Sequence, residues 1–251
     1  MSQPELSVVI PIRNRAGVRL DNCLRSLRWQ RWEGEEPEIL LSDYGSDPEQ
    51  LADIREIAAR HRTRVAHTAA PGLWNRSHAL NLGIQAAAGR VVLCTDCDMI
   101  FAPTFLRAVR QALEDAQHQT LVLCKCRDLP SEVPEQPWKL EDFETLLEKS
   151  TFRVAQGTGA CQATLRQWFY DVRGYDEKYV FWGFEDKDMV RRARRSGLSL
   201  SWVHEQTQML HQWHPTTKNQ RYVRKQWNKL RYKLTGWIIR KNPGGWGALK
   251  D

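Results

Sequence analysis

The chain has 251 residues, 41% of them apolar and 27% charged, with a formal net charge of +7. These proportions exclude a chain too polar to fold and predict a globular protein with one sizeable core, or one core and a small appendage. No apolar stretch reaches the ~18 residues of a membrane span, and the start Met1-Ser2-Gln3-Pro4-Glu5 lacks the zones of a signal peptide, so a soluble, cytoplasmic protein is expected.

In chain order, the apolar run Leu6 to Ile12 predicts a strand, Val18 to Trp29 a helix, and Glu38 to Leu41 a second strand closed by Asp43-Tyr44-Gly45-Ser46-Asp47. A helix from about Glu49 to His61, a strand at Arg64 to His67, a helix from about Ser77 to Ala88 and the strand Arg90 to Cys94 follow. Strands alternating with helices imply an α/β fold, a mainly parallel central sheet with helices on both faces. Asp128 to Pro137, with three prolines, reads as a surface loop between two halves. Beyond it are a strand or turn at Gln156 to Ala163, a helix from Lys187 to Ser196 and a strand at Leu198 to Val203.

Six scattered cysteines read as reduced core residues, and Cys124-Lys125-Cys126 has the wrong spacing for a zinc knuckle. The positive balance is concentrated between Lys218 and Lys241, which carries nine Lys/Arg residues and no Asp or Glu. Tyr222, Trp227, Tyr232 and Trp237 interleave with those charges, a pattern that suits an anionic membrane face, nucleic acid or a polyanionic glycan. The competing reading is a solvated helix face whose aromatic stripe packs on the domain. The membrane is therefore an open partner, peripheral contact an alternative to a purely cytoplasmic placement, and nucleic acid the less favoured partner.

Three clusters carry candidate chemistry. Thr95-Asp96-Cys97-Asp98 ends the buried run at Cys94 and puts two carboxylates where a parallel sheet opens, a place suited to a divalent cation and a phosphorylated ligand. Turn and cap duty is the alternative. Glu185, Asp186 and Asp188 follow Phe181-Trp182-Gly183-Phe184, which offers an aromatic plate, a glycine for close approach and carboxylates at a helix start. A carboxylate there can deprotonate an alcohol. Last comes His211-Gln212-Trp213-His214, whose imidazoles tip the cation toward Mn²⁺, with Mg²⁺ the alternative. Pro215 favours an extended segment or turn in which one of the two histidines faces the metal.

Taken together, the chain resembles the nucleotide-sugar glycosyltransferases of the GT-A fold, specifically the inverting family 2 type. The resemblance is carried by Leu6 to Arg15, Cys23-Leu24-Arg25-Ser26-Leu27, Glu38 to Ser46, Asn81-Leu82-Gly83-Ile84 with Ala87-Ala88-Gly89, and Asp96-Cys97-Asp98. Gly174-Tyr175-Asp176-Glu177 and Trp182 to Asp188 are similar to the carboxyl-terminal part of the β4-galactosyltransferase and polypeptide N-acetylgalactosaminyltransferase group. The resemblance implies a Rossmann-like GT-A domain over residues 1–215, divided at 127 into a nucleotide-sugar half and an acceptor half, with 216–251 a basic, aromatic extension. It also implies a uridine diphosphate sugar donor contacted by Pro11, Arg13, Asp43, Arg76 and Asp96, with Asp43 on the uracil imide.

By the same resemblance Asp98, with Asp96 and one or both of His211 and His214, would bind the metal. Asp186 would be the base, Glu185 would bind hydroxyls, and Trp182 with Gly183 would wall the acceptor site. Arg13 stands where the family has an aromatic residue and Tyr44 where it has a second aspartate, departures that touch donor-base recognition. Galactose, N-acetylgalactosamine, glucose and N-acetylglucosamine are the candidate sugars. The end of a polysaccharide or oligosaccharide is the leading acceptor, ahead of a peptide or a lipid-linked sugar. A nucleotidyltransferase and a catalytically silent glycan-binding module remain the alternatives.

Overall fold

A computed structural model describes residues 4–154, 157–181, 183–215 and 221–249, with the side chains of 221–223 outside the description. Within it β1 (Leu6–Ile12) is buried at every position, and its side chains divide between two cores by alternation. Val8, Ile10 and Ile12 point to one core and Val9 to the other, as the two-residue period of a strand requires. A strand apolar on both faces needs cover on both. α1 (Val18–Arg28), β2 (Glu38–Tyr44), α2 (Pro48–Arg60), β3 (Arg64–Thr68), α3 (Arg76–Ala86) and β4 (Val91–Cys94) follow in strict alternation. Leu20 and Leu24 of α1 and Ile54 of α2 join the core of Val8, whereas Leu80 and Ile84 of α3 join that of Val9.

Gly83 allows α3 to lie close on the sheet: a Cβ there would stand 2.4 Å from a Val9 methyl and 3.0 Å from the Ser42 Cβ. After β4 come β5 (Met99–Phe101), α4 (Phe105–Asp115), β6 (Thr120–Leu123) and the short β7 (Arg127–Asp128). The loop expected from residue 128 gives way to α5 (Phe143–Lys149), then β8 (Thr151–Phe152), β9 (Gln162–Leu165) and α6 (Arg166–Val172). α7 (Glu185–Arg195), β10 (Ser199–Trp202), β11 (Met209–His211) and α8 (Arg221–Thr235) complete the series.

The main sheet has seven strands in the order β10-β6-β9-β4-β1-β2-β3. It is parallel except for β9, which runs antiparallel to both β4 and β6. The fold is α/β, as the alternation predicts, with one reversed strand added. A second sheet, ordered β5-β11-β7-β8, lies beyond the end of β4. All six cysteines are free and all but Cys97 are buried.

Residues 221–249 lie against α6, α7 and the chain near Asp176. The Arg231 guanidinium donates to both Asp176 carboxylate oxygens at 2.8 and 2.9 Å. The Asn242 amide donates to the carbonyls of Arg173 and Tyr175 at 2.8 and 2.7 Å.

Candidate functional site

The carboxyl ends of β1, β2 and β4 open on one side of the main sheet, where the chain leaves each strand for a helix or loop. β1 delivers Pro11, buried beside Ser42, and the half-buried Arg13, whose guanidinium donates to the Gly72 carbonyl at 2.7 Å. β2 delivers Asp43. Its carboxylate accepts from the Ser46 hydroxyl and from the Ser46 amide at 3.2 Å, and faces His67 Nδ1 at 2.7 Å. Asp43 is 0% exposed and His67 28% exposed, so the His67 ring is the more open member of the pair.

Past β4, Asp96 and Asp98 separate into different partnerships. Arg76, the first residue of α3, is buried, and its Nε and Nη2 donate to Asp96 Oδ1 at 2.9 and 2.7 Å. The same guanidinium donates to the Gly159 carbonyl at 2.9 Å and lies 3.9 Å from Glu185 Oε1. Burial alone would lower its pKa, but the Asp96 and Glu185 charges outweigh burial and raise it.

Asp98 instead faces two imidazoles, with Oδ2 at 3.3 Å from His214 Nε2 and 3.7 Å from His211 Nε2. Both histidines reach it, where the sequence favours one. The reason is local: the Gln212 amide donates to the Asp98 carbonyl at 2.9 Å, and the Gln212 side chain is buried against Asn22 and the Arg19 carbonyl. The irregular chain from Gln212 to Pro215 then leaves the two flanking rings together, their centroids 5.3 Å apart.

Burial would raise the Asp98 carboxyl, yet hydrogen bonding to His211 and His214 holds it well below the carboxylate range. His211 is pushed up to about 9, because Asp128 and Asp98 overcome the effect of burial. The ligand atoms of Asp98, His211 and His214 lie within 4.8 Å of one another. Asp98 Oδ1 is buried without a hydrogen-bond partner among the described residues. One carboxylate with two imidazoles suits Mn²⁺ better than the harder Mg²⁺, and a buried carboxylate oxygen without a hydrogen-bond partner is a donor still open to a cation. These residues fit the metal. Asp96 stands outside the trio, clamped by Arg76.

α7 begins at the same crevice. Glu185, its first residue, is 4% exposed, and its carboxyl is pushed up to about 7 by burial and the neighbouring Asp186, against the pull of Arg76. Its Oε2 has no partner among the described residues. The Thr158 hydroxyl donates to Asp186 Oδ2 at 2.7 Å and orients that carboxylate. The entry to the helix is strained: Phe181 and Phe184 sit at φ of 76° and 77°, beside Gly183 at 100°. Trp182 lies outside the described residues. Asp188 does not join the site. It forms a fully buried pair with Arg192 at 2.8 Å, the i,i+4 partner on the inner face of α7.

Sequence reasoning misses Asp128, Arg153 and Thr158. Asp128 Oδ1 lies 3.1 Å from His211 Nδ1, which aims Nε2 toward Asp98, and Arg153 Nε grips the Asp128 carboxylate at 2.9 Å. Its position at the start of an acidic, proline-rich stretch signals a loop, and nothing local marks it as the orienting partner of a histidine 83 positions further on.

Comparisons with known proteins give the family. The model of the glycosyl transferase family 2 matches residues 7–172. The chain belongs to glycosyl transferase family 2. A second description, the N-terminal domain of galactosyltransferase, matches residues 148–215, the part that carries Asp186, His211 and His214. This family 2 chain is 24% identical over 227 residues to the chondroitin synthase of Escherichia coli, an alignment covering 76% of the chain and 32% of that protein. It is 25% identical over 228 residues to the validoxylamine A glucosyltransferase of Streptomyces hygroscopicus subsp. jinggangensis, covering 79% of the chain and 53% of that protein. The chain thus spans from about a third to about half the length of these relatives.

Among solved structures, GalNAc-T7 with UDP, GalNAc and Mn²⁺ superposes with a TM-score of 0.64 at 17% identity, over 85% of this chain and 44% of the other. S. aureus TarS in complex with UDP-GlcNAc gives 0.62 at 16% identity, over 85% and 60%. These likenesses establish the GT-A fold.

Proposed function

We propose that this chain is a metal-dependent, inverting glycosyltransferase that moves a hexosyl group from a uridine diphosphate sugar to a hydroxyl of a glycan acceptor. The observation that carries the reading is the continuity of the crevice. The Asp98, His211 and His214 trio and the Glu185–Asp186 pair share one strand-end opening, with Arg76 reaching both Asp96 and Glu185 between them. GalNAc-T7 was solved with UDP and Mn²⁺ and TarS with UDP-GlcNAc, which favours a uridine donor and a divalent ion here too.

In this reading Asp43 takes the uracil imide once His67 gives way, Pro11 and Arg13 flank the base, and Asp96 faces the ribose. Arg76 presents its fixed positive charge to the diphosphate. A bound Mn²⁺, or Mg²⁺, held by Asp98, His211 and His214, supplies Lewis-acid neutralisation of the leaving diphosphate. Asp186, oriented by Thr158, accepts the proton of the acceptor hydroxyl as that oxygen bonds to the anomeric carbon. The bond from that carbon to the diphosphate oxygen breaks on the opposite face, which inverts the configuration. Glu185, whose carboxyl burial and Asp186 push up to about 7, can hydrogen-bond sugar hydroxyls. Gly183, with Trp182, walls the acceptor side. The donor sugar is galactose, glucose or one of their N-acetylamino forms.

The test is a thermal-shift and product screen of the whole chain against the four uridine diphosphate sugars, with Mn²⁺ and with a chelator. Mn²⁺-dependent stabilisation by one donor and slow release of uridine diphosphate are expected. Asp186→Asn should keep donor binding and lose turnover by about 10²–10⁴-fold. Pyrophosphate as product would mean nucleotidyl transfer. Unchanged Mn²⁺-dependent donor binding in Asp98→Ala would remove the metal assignment.

A further inference from the structure

Four large apolar side chains stand in solvent along one face of α8 and its C-terminal continuation: Trp227 (65% exposed), Leu230 (44%), Leu234 (64%) and Trp237 (67%). Trp227, Leu230 and Leu234, three and four residues apart, share one face of α8, and Trp237 follows in the turn after its end. The opposite face is the packed one. Asn228 is buried, Arg231 grips Asp176, and the Tyr232 ring lies against Phe184 at 5.5 Å and under the Arg191 guanidinium at 3.5 Å. The stripe is therefore left over after α8 has satisfied the domain.

Its borders are cationic. Lys229 and Lys233 lie on one side of it and Arg224 on the other, all exposed, and no carboxylate occurs between residues 218 and 241. An exposed apolar patch bordered by positive charge does not suit a protein core or a neutral partner. It suits an interface where hydrocarbon lies beneath negative charge, and tryptophan is favoured at that depth.

A second feature points the same way. Between α7 and α8 runs a cleft of about 550 Å³ lined by Thr158, Lys187, Arg191, Arg194, Arg195 and Tyr232, with four cations and no carboxylate. Thr158, which donates to Asp186, lines the cleft, and Tyr232 from the packed face of α8 borders it.

We propose that α8 docks on an anionic phospholipid bilayer, inserting Trp227, Leu230, Leu234 and Trp237 into the interface. No described helix is long and apolar enough to cross a membrane.

The test uses the whole chain in sedimentation with phosphatidylcholine vesicles, with and without about one third phosphatidylglycerol. Anionic vesicles should bind at least about tenfold better than neutral ones, with salt weakening the binding. The double variant Trp227→Glu, Leu234→Glu should lose at least about tenfold in that binding, because both apolar anchors are removed. Its melting midpoint should hold, since both positions are exposed. Lys229→Glu with Lys233→Glu should narrow the gap between anionic and neutral vesicles.

Equal or absent binding to the two vesicle types would overturn the proposal, as would binding that the stripe variant leaves intact. So would a wild-type dimer that the stripe variant dissolves while neither form binds vesicles, since the occupant would then be a second copy. Mn²⁺-dependent uridine diphosphate binding, measured alongside without vesicles, separates a failure of docking from a failure of the donor site.

Discussion

Glu185 is a carboxyl buried next to another carboxyl, and its proton is held up to about 7 in the folded chain. In the unfolded chain it ionises near 4.5, so between about 4.5 and about 7 the folded state carries the extra proton. Stability then falls as pH rises through that window, because the unfolded state binds fewer protons there. Glu185→Gln removes the titration. The variant should gain stability relative to the parent as pH climbs from about 4.5 to about 7 and keep the gain above it, read as midpoints of denaturant unfolding across pH. A constant difference between the two proteins across that range would show that Glu185 titrates normally. The helix itself separates the two acids: Glu185, Asp188 and Arg192 fall on the buried stripe of α7, whereas Asp186 is only partly buried and reaches Thr158. That an acidic pair stands at this helix start is legible in the sequence; that Asp188 serves the core requires knowing which face is inward.

The second sheet supplies the pieces that hold the metal trio. β11 carries His211, β7 carries Asp128, and β7 pairs with β8, after which Arg153 turns back onto Asp128. An imidazole whose Nδ1 faces a fixed carboxylate presents Nε2 to a cation in one tautomer and one orientation. Asp128→Asn keeps the size of the side chain but loses the charge. It should weaken Mn²⁺ binding by about 10–100-fold with little change in apo stability, measured by Mn²⁺ titration of the thermal midpoint. Unaltered Mn²⁺ affinity would make Asp128 a partner of Arg153 alone. β7 and β8 are two residues each, too short for any alternation to register, so this support is written nowhere in the local sequence. α4 is a different case: Phe105, Leu106, Val109 and Leu113 recur at helical spacing and are all buried, a local signal absent from the predicted series of elements. β1, β2 and β4 are the most legible parts, because burial on both faces demands the apolar runs that mark them.

Across the whole molecule, the basic segment near the C-terminus is held by charges far from it in sequence. Asp176 is 1% exposed, gripped by Arg231 and 3.5 Å from Lys241, which is itself 2% exposed and 3.6 Å from Asp188. A run of lysines and arginines without carboxylates reads as a solvent face, and only the fold reveals which of its members are matched to buried acids. Removing one side of such an arrangement leaves charge buried without its counterpart, which costs more than the pair contributes. Asp176→Asn should therefore destabilise the chain by about 3 kcal/mol, a fall in melting midpoint of roughly 6–12 °C for a domain of this size. Arg231→Gln should cost less, because Arg231 is a quarter exposed and water can replace part of what it loses. Combined, the two changes should destabilise by less than the sum of their separate effects, since each removes the partner whose loss makes the other expensive. Strict additivity would mean that the ion pair does not hold residues 221–249 to the domain, and that the contacts of Asn242 with Arg173 and Tyr175 carry that attachment.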